Sequence, residues 1–218
     1  MPSQNGVKRS AKEPKQARSK QTRQKILEAT LELLDQDGIE GVSTNSIARR
    51  AKVNIASLYQ YFPDKIAILR VLAMNFSNKQ SFLICNYLDR ASIDASIAEV
   101  CEGIVDALID GTRGDRALLH LQSALIVMPD LLEAYRMTNV EIGQSMRRFI
   151  RAWGIEMDNE EITTTMFCVG EIFSGLQNLA LSRDPNYDPK VIEHLKVSLT
   201  AYYTYLSQKG ESPCVSAG

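Results

Sequence analysis

No run of this sequence alternates apolar and polar residues over a convincing length, whereas from Ser19 onward the apolar residues recur every three to four positions. That period lines up side chains on one face of an α-helix, not of a strand. Ile26, Ala29, Thr30, Leu33 and Leu34 start the pattern, with Ser19 as the expected cap and Asp37-Gly38 as the stop. A short helix is expected over 44–51, capped by Ser43 or Thr44, with Ile47, Ala48 and Ala51 facing inward. Lys52, Val53 and Asn54 make a turn, and a third short helix runs over 55–62 until Pro63 stops it. Asp64 caps a long fourth helix that reaches residue 86. Further helices are expected over 93–110, 115–127, 129–153, 159–182 and 189–208, so the chain reads as all-α, with nine helices.

Two helices, a tight turn and a third helix in so short a span describe a helix-turn-helix. The first two act as a platform, and the third fits the major groove of duplex DNA. The charge distribution agrees. The net charge is −1, yet the first 25 residues carry eight Lys or Arg against one Glu, leaving that segment at +7 and the rest at −8. A basic run alone is equally a solvated tail; next to a helix-turn-helix it suits a polyanion. The expected organisation is a mobile basic arm (1–18), a helix-turn-helix DNA-binding domain (19–66), an effector-binding and dimerisation domain (67–210) and a flexible tail (211–218).

Other classes find little support. Nucleophile elbow, HExxH, phosphate-binding loop and dinucleotide glycine fingerprints are missing, and Gly170 and Gly175 have phosphate-loop spacing without the following Lys. His120 and His194 are the only histidines and lie far apart, so neither an enzyme nor a metal or cofactor site is expected. Cys85, Cys101, Cys168 and Cys214 are widely spaced without a CxxC, which suits free thiols in a reducing cytoplasm. No window approaches the roughly 20 apolar residues of a membrane span, so no membrane partner is expected. A helical protein-interaction module is the alternative; it accounts for the C-terminal half but not for a basic arm beside a helix-turn-helix.

The run from Gly41 to Lys65 resembles the DNA-binding signature of the TetR family through Thr44, Ile47-Ala48, Ala51, Val53, Leu58-Tyr59, Tyr61-Phe62 and Lys65. The turn departs from that pattern, with Lys52 where the family commonly has Gly and Asn54 where it commonly has Ser. Helix geometry places Leu58 and Phe62 on the inner face of the third helix, Ala56 and Gln60 outermost, and Ser57 and Tyr59 on the flanks. Gln60 can make a bidentate contact to adenine, Ala56 and Ile55 can meet thymine methyls, and Ser57 can donate or accept. The resemblance implies phosphate contacts from Ser43, Thr44, Tyr59, Tyr61 and Lys65 and a place near base edges for Asn45, and Asn54 in the turn joins this set.

The resemblance also implies a homodimer, built on the helices over 159–182 and 189–208, that binds double-stranded DNA. One recognition helix covers too few base pairs, and two related by a dyad read a palindrome. It implies further that the intervening helices enclose a small effector. Met74, Phe76, Ile104, Leu108, His120, Leu121, Leu125, Met128, Tyr135, Asn139 and Phe173 are the candidate wall. That mixture favours an apolar or amphipathic effector that releases a repressor from its operator.

Overall fold

The computed structural model describes residues 12–113, 117, 121 and 129–210, with the side chains of 12–16, 129–138 and 210 left aside. Among these residues there are eight α-helices and no strand: α1 (Lys12–Asp37), α2 (Thr44–Arg50), α3 (Ile55–Tyr61), α4 (Lys65–Arg90), α5 (Ile97–Thr112), α6 (Pro129–Ala152), α7 (Asn159–Arg183) and α8 (Pro189–Gly210). A single 3-10 turn, Ile39–Gly41, joins α1 to α2. The expected helix over 115–127 lies outside the described residues except for Ala117 and Leu121, both helical and buried. Residues 1–11 and the tail over 211–218 lie outside them too.

The first helix begins earlier than the sequence suggested. It starts at Lys12, so residues 12–18, expected in the arm, are helical and Ser19 is an interior residue and not a cap. The physical reason is local. Lys12, Glu13, Lys15, Gln16, Ala17 and Arg18 are good helix formers, and Pro14 falls in the first turn, where its missing N–H costs nothing.

The chain divides after Ile68 into two compact units. In the first, Ile26, Leu33 and Leu34 of α1, Val42, Ile47 and Ala48 of the α2 region and Leu58 and Phe62 of α3 are buried together. Polar contacts pin the helices at their margins. Arg50 of α2 reaches Glu32 at 3.2 Å and Gln36 at 2.9 Å on α1, and the Arg23 guanidinium lies 5.4 Å from the centre of the Phe62 ring.

The second unit packs α4 from Leu69 onward with α5 to α8. Its core includes Leu88, Val100, Val105, Leu108, Met146, Phe149, Ile150, Leu195 and Tyr203. Reciprocal capping boxes set two helix starts, Ser96 with Glu99 on α5 and Asp158 with Glu161 on α7. A Cβ on Gly103 would collide with the Tyr87 ring, whose hydroxyl donates to the Glu99 carbonyl at 2.9 Å, so a larger residue there would have to displace that ring. Trp153 sits between Phe149 (6.0 Å) and Tyr203 (5.5 Å), and its indole N–H donates to the Ala95 carbonyl at 3.0 Å.

The same terminator closes α2 and α6. At the end of α2, Lys52 N–H bonds the Arg49 carbonyl (3.3 Å) and Val53 N–H bonds the Ala48 carbonyl (3.0 Å). At the end of α6, Gly154 N–H bonds Arg151 and Ile155 N–H bonds Ile150, both at 3.0 Å. This paired pattern needs a left-handed residue after the helix. Gly154 has φ 71° and Lys52 has φ 54°, so the turn of the helix-turn-helix holds a side chain where its counterpart holds none. Left-handed backbone costs an L-residue about 1–2 kcal/mol, and glycine gives back about 0.5–1 of that in chain entropy. Lys52→Gly is therefore expected to stabilise the chain by about 0.5–1 kcal/mol, roughly 1–4 °C in a thermal scan, while Lys52→Val destabilises it. A glycine variant that melts below the parent would contradict this reading of the turn.

Candidate functional site

The helix-turn-helix is built from two short helices that hold each other. Ser43 caps α2: its hydroxyl accepts from Ser46 N–H at 3.1 Å and its own N–H donates to the Ser46 hydroxyl at 2.9 Å. The Ser46 hydroxyl also donates to the Gly41 carbonyl at 2.8 Å, locking the chain ahead of α2. Asn54 caps α3, with its side-chain oxygen accepting from Ala56 N–H at 2.8 Å. Across the turn, the Thr44 and Tyr59 hydroxyls lie 3.2 Å apart in a hydrogen bond.

This framework fixes what α3 displays. Leu58 and Phe62 are 0% and 3% exposed, and Ala56, Tyr59 and Gln60 stand out of the surface. Ile55, Ser57 and Tyr61 are half-buried. Ser43 and Asn45 at the start of α2 are exposed, as is Asn54, while Thr44 is half-buried. Lys65 opens α4, and its ammonium donates to the Val42 carbonyl at 3.4 Å, just before the α2 cap. The structure thus brings the start of α2 together with Tyr59 of α3 and with Lys65 at the start of α4 in the first unit, with hydroxyl and ammonium groups among them. The sequence reading passed over Ser46, whose hydroxyl is spent entirely on the backbone and on Ser43.

The second unit contains a narrow cavity of about 70 Å³. Ile104, Leu108, Asn139 and Phe173 from the sequence-based set line it. Phe76 and Leu121 are buried without forming part of its wall. Met74 is a correction: it is 48% exposed and outside the cavity. Within the second unit the buried positions of α4 are Leu69, Leu72, Ala73, Phe76, Ser77, Gln80, Ser81, Ile84 and Leu88, a stripe at helical spacing that leaves Met74 just beyond its edge. His120, Leu125, Met128 and Tyr135 belong to the expected wall but fall where no side chain is described.

The cavity is lined also by Gln80, Cys101, Met146, Met166 and Tyr203, none of which was expected in its wall. Burial pushes the Cys101 thiol up to about 12, with only a small opposing pull from a hydrogen bond with Thr200. Burial likewise holds the Tyr203 phenol well above its ordinary value. Both groups are neutral at physiological pH. On α7 and α8, the helices expected to form the interface, Ile162, Met166, Leu195 and Leu199 are buried inside the chain's own core. Leu179, Val197 and Tyr205 on the same helices are 46%, 60% and 62% exposed.

A helix-turn-helix at the N-terminal end of an all-helical chain, followed by a helical unit with its own cavity, is the layout of a ligand-responsive DNA-binding regulator. Comparison with known proteins narrows the class. Residues 26–72 match the family described as bacterial regulatory proteins, tetR family, and residues 96–202 match the tetracyclin repressor-like C-terminal domain. The chain belongs to the TetR family. It is 41% identical over 63 residues to the HTH-type transcriptional repressor KstR of Rhodococcus jostii, a match covering 28% of this chain and 30% of that one. With the HTH-type transcriptional regulator BetI of Klebsiella pneumoniae it shares 24% identity over 186 residues, 83% of this chain and 91% of the other. In fold it is similar to a TetR-family regulator from Streptomyces coelicolor (TM-score 0.60, 21% identity, covering 85% of this chain and 99% of that one). It is similar also to the multidrug binding protein EbrR complexed with imidazole (TM-score 0.62, 18% identity, covering 82% and 93%). The family is one of transcription regulators and not of enzymes, and no described helix is long and apolar enough to cross a membrane.

The caps give the interface a stability test separate from DNA binding. Asn54→Ala removes the oxygen that satisfies Ala56 N–H and is expected to cost about 1 kcal/mol in urea unfolding, whereas Asn54→Asp keeps the cap. Equal stability of the alanine and aspartate variants would show that α3 does not depend on this cap.

Proposed function

We propose that this chain is a homodimeric repressor that binds a palindromic operator and leaves it when a small apolar or amphipathic effector occupies the cavity of the second unit. The observation that carries the reading is the display of α3: Leu58 and Phe62 are buried while Ala56 and Gln60 project outward from a helix of major-groove size. The outward face has no Arg, so guanine readout by α3 is weak and phosphate contacts and DNA shape carry a larger share. Ser43, Thr44, Tyr59, Tyr61 and Lys65 supply the phosphate contacts, and Asn45, Asn54, Ile55, Ala56, Ser57 and Gln60 lie nearest the bases.

Dimerisation through α7 and α8 is supported by Leu179, Val197 and Tyr205, apolar surface that a second copy would cover. The lever is α4. It is one continuous helix from Lys65 to Arg90, and it carries both the candidate phosphate contact at Lys65 and the cavity residues Gln80 and Ile84. An effector that prefers a different α4 position shifts the population toward dimers whose recognition helices miss the half-site spacing. The site of action is the cytoplasm, where the DNA and the reduced cysteines of this chain are both accommodated.

Two substitutions separate the roles. Gln60→Ala is expected to relax preference at one base position and cost about 1–3 kcal/mol against the best operator. Lys65→Ala is expected to weaken all duplexes alike and lower the log–log salt slope by about 0.9. The material to use is operator DNA selected from a random pool at physiological salt. A Lys65→Ala variant with altered base preference and an unchanged salt slope would refute the assignment, and a purified chain that selects no duplex would refute the function.

A further inference from the structure

Asn139 sits in the wall of the second unit's cavity, is 5% exposed, and its side-chain Nδ2 has no hydrogen-bond partner among the described residues. A buried N–H without an acceptor costs stability, and the usual resolution is a missing partner. The other polar groups of the wall are Gln80, Ser174 and the Cys101 thiol and Tyr203 phenol, and none of these is charged at physiological pH. Among the described residues, no Lys, Arg, His, Asp or Glu lines the cavity. The remaining surface is Ile, Leu, Val, Met and Phe.

We infer that the effector is an uncharged, mainly aliphatic molecule carrying a hydrogen-bond acceptor, a carbonyl or ether oxygen, that meets the Asn139 carboxamide. This rests on the proposed role of the cavity as the effector site and specifies its chemistry. An ion would leave water for a wall whose described residues offer no opposite charge, a penalty that apolar contact does not offset. A pure hydrocarbon would leave the Asn139 donor as it stands. A carbonyl-bearing chain satisfies both walls at once. At about 70 Å³ the cavity is smaller than the ~150 Å³ void that admits benzene. A chain of any length therefore enters only if the wall opens, and the flexible Met146 and Met166 side chains are the ones suited to yield around it.

The test uses the full chain and four probes of equal chain length: 2-decanone, decanoate, decylammonium and decane, followed by calorimetry and thermal shift. The expected result is that 2-decanone binds and raises the melting temperature, with the two ions at least tenfold weaker. Asn139→Leu is expected to raise the melting temperature of the ligand-free chain and to weaken 2-decanone about three- to tenfold. The comparison of 2-decanone with decane on the unaltered chain reads the same hydrogen bond without a variant. If no probe binds, the cavity is core and the effector-site reading falls together with this inference. If decanoate or decylammonium binds as tightly as the ketone, the cavity remains an effector site but the neutral-ligand inference is overturned. If decane matches the ketone, or Asn139→Leu leaves ketone affinity unchanged, the role of Asn139 is overturned.

Discussion

The burial of Leu58 and Phe62 against α1 and α2 is the contact on which the exposed face of α3 depends. α3 has seven residues, too few to be helical in water on its own, so its shape is borrowed from what it packs on. Removing that packing removes the helix, and with it any defined position for Ala56 and Gln60. The Asn54 cap, the Thr44–Tyr59 hydrogen bond and the Arg23–Phe62 stacking are secondary restraints that fix where an already packed helix starts and how it is turned. The interface side chains are thus held from behind, by a core, and only trimmed from the front.

The second unit solves a different problem. Its helices are long, yet they leave a void whose wall holds a carboxamide N–H that is unpartnered among the described residues. A chain selected for stability alone would fill such a site with a leucine. That it carries polar groups among Ile, Met and Phe is a local departure from the apolar packing of the surrounding core.

Much of the first unit was legible in the sequence because its signals are local. Leu58 and Phe62 are four apart, Pro63 follows, and Ser43 and Asn54 precede helices, so faces and ends can be read by spacing alone. The start of α1 was not, because Ser19 has the chemistry of a cap but sits among residues that propagate a helix equally well; which wins depends on the whole segment. Ile104, Leu108, Asn139 and Phe173 were named for the cavity, but Met74 was named with them, since an apolar residue on a long helix does not declare its face until its neighbours are known. Gln80 and Tyr203 were passed over for the converse reason: polar or ambivalent side chains read as surface until tertiary packing encloses them.

One feature of the core makes the molecule its own instrument. Trp153 is the sole tryptophan of the chain, and its ring lies 5.5 Å from that of Tyr203, a residue that also faces the void. Every photon the protein emits at long wavelength therefore originates one aromatic ring away from the place where a guest would lodge. Occupancy that nudges the phenol alters the indole's surroundings, so the intensity and colour of intrinsic emission track filling of the void without dye or label.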